Sequence, residues 1–346
     1  MSATEREDPG VRRATITDVA AEAGASRSTA SRALTGQGYV SPQVRDRVRK
    51  AAKRLGYVPD AMARGLKRKI TTTFGLLVSD LRNSFYAEMA AGASRAAKDL
   101  GFTIMLADTN GRSVDELAAA QTFVAQRVAG VIVTPVSAPI IDYLVAQRIP
   151  TVEVDRTFGR RRTDSVTVSN ADGVAEATQH LVDLGHRRIA LIIDETDWTT
   201  GDQRQQGFRA VHRDAELPFD PTLVVHSGWD AAAAERATTG LLTGTNRPTA
   251  VFAANNVIAE GVWRSARRLG LRVPGDLSVV AFDDAPWMSL VDPGLTTVAQ
   301  DPSALGATAV RQLVDRIDHP ESPSRSIVLA TELRQRGSVA RPASVG

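Results

Sequence analysis

Thr15-Ile16-Thr17-Asp18-Val19-Ala20-Ala21-Glu22-Ala23-Gly24-Ala25-Ser26-Arg27-Ser28-Thr29-Ala30-Ser31-Arg32-Ala33-Leu34 decides how this chain begins to fold. The stretch reads as two short helices joined by a tight turn. Ile16, Val19, Ala20 and Ala23 recur at helical spacing and give the first helix one apolar face. Gly24 permits the sharp turn, because it takes a left-handed backbone without a side-chain clash. The Ser26 hydroxyl is placed to cap the second helix. There Ala30, Ala33 and Leu34 point inward, which leaves Arg27, Ser28, Ser31 and Arg32 facing out. Small residues inside keep the helices close, and polar residues outside match the donor and acceptor pattern of a DNA major groove. For this segment alone, an ordinary helical hairpin with a solvated face is the competing reading.

Downstream, Ser41-Pro42 is a helix start, with Ser as cap and Pro at the first helical position. Val44, Val48, Ala51, Ala52 and Leu55 line one face of this third helix, and Gly56 ends it. Its other face carries Arg45, Arg47, Arg49, Lys50, Lys53 and Arg54. Then follows Tyr57-Val58-Pro59-Asp60-Ala61-Met62-Ala63-Arg64-Gly65-Leu66-Lys67-Arg68-Lys69. With these residues the segment resembles the DNA-binding headpiece and hinge of the lactose-repressor (LacI/GalR) family. That family's hinge pattern, Ala-Arg-x-Leu, stands here as Ala63-Arg64-Gly65-Leu66.

The resemblance implies a helix-turn-helix DNA-binding domain over 14–58 and a hinge helix with its linker over 59–71. It implies DNA contacts from Thr15, Thr17, Ser26, Arg27, Ser28, Thr29, Ser31, Arg32, Tyr57, Ala63, Arg64, Leu66 and Lys67. Arg27 is the expected base reader, with Arg32 as the alternative, while Thr29 and Ser31 suit phosphates better. Leu66 stands where the family wedges a Leu pair into the minor groove. Two departures bear on this. Ala30 replaces a usual Val and shrinks the contact, and Gly65 costs about 1 kcal/mol of helix propensity relative to Ala. The hinge helix is therefore expected to be marginal until DNA orders it.

Charge distribution agrees. The 346 residues carry a formal net charge of +3, but residues 1–70 hold 15 Lys and Arg against 7 Asp and Glu, a net of +8. The remainder holds 27 against 32, a net of −5. Basic charge gathered in one small domain is the footprint of phosphate contact. The chain has no cysteine, which excludes disulfides and thiolate metal sites. No apolar run approaches membrane-spanning length, and Met1-Ser2-Ala3-Thr4-Glu5-Arg6-Glu7-Asp8 lacks the apolar segment of a signal peptide. No membrane partner is expected, and the expected location is cytoplasmic, at the nucleoid. Residues 1–13 are expected to be a disordered arm.

From residue 72 the pattern changes to short apolar strands alternating with amphipathic helices. Strands are expected at Phe74–Val78, Phe102–Leu106, Gly130–Val133 and Thr151–Val154, with helices over roughly 85–100 and 114–126. A second series starts with a helix near 171–184 and has strands at Ile189–Ile193, Leu223–Val225, Ala250–Ala253 and Leu277–Ala281. The fold class is α/β: two doubly wound parallel sheets follow an all-α headpiece, and ligands bind such folds at the carboxyl ends of the strands. The family resemblance extends through Leu184-Gly185-His186-Arg187-Arg188-Ile189-Ala190, Arg247–Asn256, Leu271–Asp284 and Glu332–Ser338. It implies a core resembling a periplasmic sugar-binding protein over 72–339, with a tail at 340–346. Its two subdomains are expected at about 72–165 plus 296–325 and about 166–295 plus 326–339, crossing near 165, 295 and 325.

Strand ends, Asp155-Arg156 after Val154 among them, and position-matching to the family together mark Asp80, Phe85, Tyr86, Asp155, Trp198, Thr200, Arg204, Trp229, Asn255 and Asp283 as effector-binding residues. A Trp face stacks on a sugar or a flat base, Arg donates a fork of hydrogen bonds, and a carboxylate accepts from vicinal hydroxyls. Asn256 stands where an acid is usual, Ser169 replaces an Asp and Ser84 a Pro, so effector identity does not carry over from the family. Enzyme motifs fail: Ser79-Asp80-Leu81-Arg82-Asn83-Ser84 is not the Gly-rich turn of a dehydrogenase, and there is no phosphate loop or nucleophile elbow. His180, His186, His212, His226 and His319 have no metal-site spacing. The expectation is a homodimeric regulator without cofactor or metal, reading a near-palindromic operator and answering to a mono- or disaccharide. A purine-responsive corepressed regulator is the runner-up. A sugar receptor without DNA binding and an enzyme on the same fold are the readings from other classes.

Overall fold

The computed structural model describes residues 14–36, 38–57, 71–158, 162–194 and 198–343. The arm at 1–13 and the hinge residues Ala63, Arg64, Leu66 and Lys67 lie outside the described residues. Two compact units divide between Thr71 and Thr72.

In the first unit, α1 (Ile16–Glu22), α2 (Arg27–Thr35) and α3 (Pro42–Arg54) pack around Val19, Ala20, Ala30, Ala33, Val48 and Ala51. A capping box opens α1: the Thr15 N–H donates to Asp18 Oδ2 at 2.7 Å, and the Asp18 N–H donates to Thr15 Oγ1 at 3.3 Å. Gly24, at φ +57°, turns the chain into α2, where the Thr29 N–H donates to Ser26 Oγ at 3.1 Å. Ser41 occupies the cap position of α3 but makes no side-chain capping bond, so Pro42 alone marks that start. An Arg54–Glu22 pair at 2.9 Å ties α3 to α1.

The second unit has two lobes. The first contains β1 (Thr73–Val78), α4 (Ser84–Asp99), β2 (Thr103–Asp108), α5 (Ser113–Ala125), β3 (Gly130–Val133), α6 (Ala138–Ala146), β4 (Thr151–Val154) and β5 (Asp164–Val168). The second follows with α7 (Asn170–Asp183), β6 (Ile189–Ile193), α8 (Thr199–Asp214), β7 (Val224–His226), α9 (Ala231–Leu242), β8 (Ala250–Ala253), α10 (Asn256–Arg268), β9 (Ser278–Phe282) and β10 (Thr296–Ala299). The chain returns to the first lobe for α11 (Pro302–Asp318) and β11 (Ser326–Leu329), then reaches the second for β12 (Glu332–Arg334). The sheets run β11-β5-β4-β3-β1-β2 and β12-β10-β9-β8-β6-β7. Their strands pair in parallel, except that β12 is antiparallel to β10. Helices cover the sheets, which is why Leu76, Leu77 and Val78 and every residue of β6 are buried in continuous apolar runs.

The crossovers follow Val168, Ala299 and Leu329, a few residues later than the expected positions near 165, 295 and 325. Strands β5 and β11 belong to the first sheet and β10 to the second, so each lobe boundary shifts by one short strand. The reason is physical. These strands bury polar residues satisfied from far along the chain: Asp164 accepts from Arg316 Nε and Nη2, both at 2.8 Å, and the Thr296 N–H donates to Ser338 Oγ at 2.8 Å. Local apolar patterning gives no sign of that.

Helices α4 and α11 cross very closely. A Cβ at Gly92 would overlap the Ser303 carbonyl oxygen, and one at Gly306 the Met89 carbonyl oxygen. This crossing seals the first lobe over Met89, Ala93, Leu305, Ala309 and Leu313, all fully buried. Truncating one such leucine to Ala typically costs 2–5 kcal/mol, roughly.

Candidate DNA-reading helix and effector cleft

On the first unit, Arg27, Ser28 and Arg32 are exposed along α2, Thr29 and Ser31 are half-buried, and Ala30 and Ala33 are buried beneath them. Among the described residues Arg27 has no hydrogen-bond or ion-pair partner, which leaves its fork of donors available. Arg32 Nε donates to the Ser28 carbonyl at 3.4 Å, so that guanidinium lies back along its own helix. Two expected contact residues are occupied: Thr15 Oγ1 donates to Asp18 Oδ2 at 2.7 Å, and Ser26 Oγ caps α2. Thr17 is exposed, and Tyr57 packs partly into the headpiece core.

The second unit holds its polar cluster where strand ends of the two lobes face each other. Asp155 follows β4 and Asp283 follows β9, and both sit at φ +70°. A left-handed backbone at a non-Gly residue costs roughly 1–3 kcal/mol and persists only where the surroundings enforce it. Here the neighbouring strand does so: the Asp155 N–H donates to the Val166 carbonyl at 3.0 Å and the Asp283 N–H to the Val298 carbonyl at 2.9 Å. The two lobes thus present matching carboxylates by the same device.

The turn at Asp155 sends the next residue inward. Arg156 is 3% exposed and lies against Asp155, with 3.5 Å between Nε and Oδ2. Its Nη2 donates to Ser79 Oγ at 3.1 Å and to the Tyr86 hydroxyl oxygen, while Trp198 caps the guanidinium at 4.0 Å. Nε and Nη1 have no acceptor at hydrogen-bond geometry, although both are buried. Tyr86 donates to Asp155 Oδ2 at 3.4 Å, and burial pushes its phenol up, so it stays protonated.

Across the cleft, Arg204 is held by Asn170 Oδ1 at 2.9 Å and the Ala254 carbonyl at 2.6 Å, with its guanidinium over the Phe282 ring at 3.8 Å. Burial pushes the Asp194 and Asp283 carboxyls up, against the pull of Arg204 on both. Asn255 is fully engaged: its Oδ1 accepts from the Ile258 N–H at 2.8 Å, and its Nδ2 donates to Asp194 at 3.0 Å. The unpaired acceptors belong instead to Asn256 Oδ1 and Gln300 Oε1. Direct bonds also join the lobes: Asn256 Nδ2 donates to Asn83 Oδ1 at 2.8 Å, and the Thr157 N–H to Thr199 Oγ1 at 3.0 Å.

Not every expected residue gathers there. Asp80 turns to Arg82, at 2.9 Å, and that pairing keeps its carboxyl below the usual range despite the opposing effect of burial. Phe85 does gather with cleft residues: together with Asn256, Asp283, Gln300 and Arg334 it lines a cavity of about 450 Å³ beside the crossovers. Thr200 is buried near the start of α8. Trp229 stays 41% exposed and meets Trp198 edge-on at 6.3 Å. The strand-end rule reaches Arg156 only as the neighbour of Asp155, Asn256 enters only as a departure from the family, and Asp194 and Gln300 are absent from the expected set. Asp194 directly follows β6, so the rule that found Asp155 and Asp283 covers it; the inward turn of Arg156 has no local signal.

Arg156, Asn256 and Gln300 bring buried polar atoms without partners to one cleft, which hydroxyls of a ligand or water can satisfy. Three carboxylates, Asp155, Asp194 and Asp283, stand against two guanidiniums, Arg156 and Arg204. The set therefore disfavours a dianion and suits a neutral molecule rich in hydroxyls.

Comparison with known proteins bears on both units. Residues 15–60 match the bacterial regulatory proteins of the lacI family, and residues 178–339 match a periplasmic binding protein-like domain. The ribose operon repressor of Haemophilus influenzae is 32% identical over 94% of this chain and 98% of its own length. The transcriptional repressor PurR of Aliivibrio fischeri is 32% identical over the same shares. Among solved structures, a complex of the regulator CelR with cellobiose matches with a TM-score of 0.72 at 32% identity, covering 94% of this chain and 100% of that one. The lac repressor dimer bound to operator and an anti-inducer matches with a TM-score of 0.85 at 28% identity, covering 95% and 100%. These matches run along nearly the whole length of this chain and of the matched proteins, and the chain belongs to the lacI family of bacterial regulatory proteins.

Proposed function

We propose that this protein is a homodimeric, operator-binding transcriptional repressor in the cytoplasm, at the nucleoid, and that a neutral mono- or disaccharide in the cleft sets its DNA affinity. The observation that carries the sugar is the pair of unmatched buried donors on Arg156 set among carboxylates and tryptophans. Ring oxygens and hydroxyls satisfy those donors, and hydroxyl protons satisfy Asn256 Oδ1 and Gln300 Oε1. A relative named as a repressor of the ribose operon and a regulator solved in complex with cellobiose support the same class. A stacked purine fits less well, because Trp198 already covers Arg156. Catalysis has no place in the proposal.

On the DNA side, α2 enters the major groove with Arg27 and Ser28 foremost, and Ala63, Arg64, Leu66 and Lys67 serve the minor groove. Two-fold symmetry pairs the headpieces with the half-sites of a near-palindrome. Exposed Leu106 on edge strand β2 and Leu290 give a second copy apolar surface to cover. Sugar and operator affinities are then coupled reciprocally.

The test is a fluorescence and thermal-shift titration of the full chain with neutral sugars, purines and sugar phosphates. A neutral sugar is expected to bind; tight binding of a purine or sugar phosphate alone overturns the assignment. Asp283 adds a pH signature. A hydroxyl donating to its carboxylate favours the charged form of a group whose pKa burial has raised. Binding should therefore release a proton, and sugar affinity should fall as pH drops through that raised value, which calorimetry in two buffers of different ionisation enthalpy detects. The empty protein behaves oppositely. Its native state holds that proton more tightly than the unfolded chain, so this group's contribution to stability falls as pH rises from the ordinary value toward the raised one.

A further inference from the structure

Strands β2 and β7 form the outer edges of the two sheets, on the side away from β5, β10 and β11, where the crossovers run. Gly111 follows β2 and Trp229 follows β7, so any contact between them spans the mouth of the cleft opposite the hinge. They do touch. A Cβ at Gly111 would overlap Trp229 Cη2 and Cζ3, so the indole rests directly on glycine backbone held at φ +67°. One carboxylate fixes the loop beneath it: Asp108 accepts from the Leu81 N–H at 3.2 Å and the Asn110 N–H at 3.1 Å. On its other side Trp229 meets Trp198 at 6.3 Å, and Trp198 covers Arg156 at 4.0 Å. A continuous wall therefore runs from the mouth of the cleft to its deepest unpaired donors.

We propose that Trp229 seated on Gly111 is the closing latch of the cleft, and that Gly111 is the positioning residue that fixes how far the lobes close. The inference rests on reading the cleft as the effector site. Any side chain at 111 lifts the indole off its seat and holds the mouth ajar. That effect passes through Trp229, whereas the backbone strain of replacing a left-handed glycine is the same with or without the indole.

The chain has no cysteine, so Gly111→Cys with Trp229→Cys introduces a single thiol pair into the full-length protein. A short bifunctional thiol reagent that fluoresces only after reacting at both ends is expected to bridge the pair without any sugar present. The bridged protein should bind the duplex it selects from random DNA with an affinity at least tenfold different from that of the unbridged protein. Bridging no faster than in a control pair at exposed Gln121 and Arg236, or equal DNA affinity before and after bridging, overturns the latch. Neither readout uses a sugar, so a failed sugar screen remains a separate result. If the cysteine variant does not fold, Gly111→Ala replaces it. Alanine is expected to raise acrylamide quenching of tryptophan fluorescence in the parent and to leave it unchanged in a Trp229→Ala background. Equal changes in both backgrounds, or no change in either, refute the latch.

Discussion

The headpiece and the core place their functional atoms in opposite ways. On α2, Arg27, Ser28 and Arg32 stand in solvent above a floor of buried alanines. In the core, Asp155, Arg156, Arg204 and Asp283 are all less than 8% exposed, and each is held by partners on other elements. The first arrangement leaves its donors to a large partner that brings its own water and charge. The second makes each donor and acceptor costly until a small ligand fits. Damage to an exposed reader should therefore change selectivity, whereas damage to a buried one should change affinity.

The largest expected effect tests whether the two halves divide the work. Removing residues 1–71 should abolish operator binding in a gel-shift assay and leave sugar affinity within about twofold in calorimetry, because the core keeps its own hydrophobic clusters. Loss of sugar binding along with the headpiece would break the division. Next comes Arg156→Ala, expected to weaken sugar binding at least tenfold without altering operator affinity in the absence of sugar. Each buried partner left unpaired costs about 1–3 kcal/mol. Arg156→Lys should not rescue it, since an ammonium cannot hold Ser79, Tyr86 and a ligand with one planar fork.

Arg27→Ala should show the contrast from the other side. Selection on random DNA is expected to lose preference at one symmetric base pair per half-site, worth about 1–3 kcal/mol of discrimination. An unchanged motif would reduce Arg27 to a phosphate contact. The smallest effect belongs to the scaffold: Thr15→Ala removes the α1 capping box and should lower headpiece stability by about 1 kcal/mol in thermal melts.

How far the sequence spoke depends on the same contrast. In α2 the spacing of Ala30, Ala33 and Leu34 settles both the inner and the outer face, because a helix turns neighbours in sequence into neighbours in space. Apolar runs likewise disclosed β1, β3, β6 and β8. Strands β5, β10 and β11 stay hidden because their polar residues find partners far along the chain, 152 and 161 residues away for β5 and β11 and 42 for β10. Asp155 and Asp283 are legible as strand-end acids and Arg156 as the residue after one, but the inward course of Arg156 follows from a left-handed turn that nothing local dictates. Trp229 was read as a stacking surface for a sugar, and its seat on Gly111 depends on two loops that only the closed lobes bring together.

The three crossovers also set an order of assembly. The ribosome releases β1 to β5 first, yet the helix that seals their sheet, α11, and the neighbouring strand β11 emerge only after strands β6 to β10 of the second lobe. At bacterial synthesis rates of about 5–20 residues per second, that delay is on the order of ten seconds. Throughout it, the surface of α4 around Met89 and Ala93 lacks its glycine-to-glycine partner. The nascent chain thus carries an uncovered apolar face long after strands β1 to β5 have emerged, and that window is one in which chaperones can act.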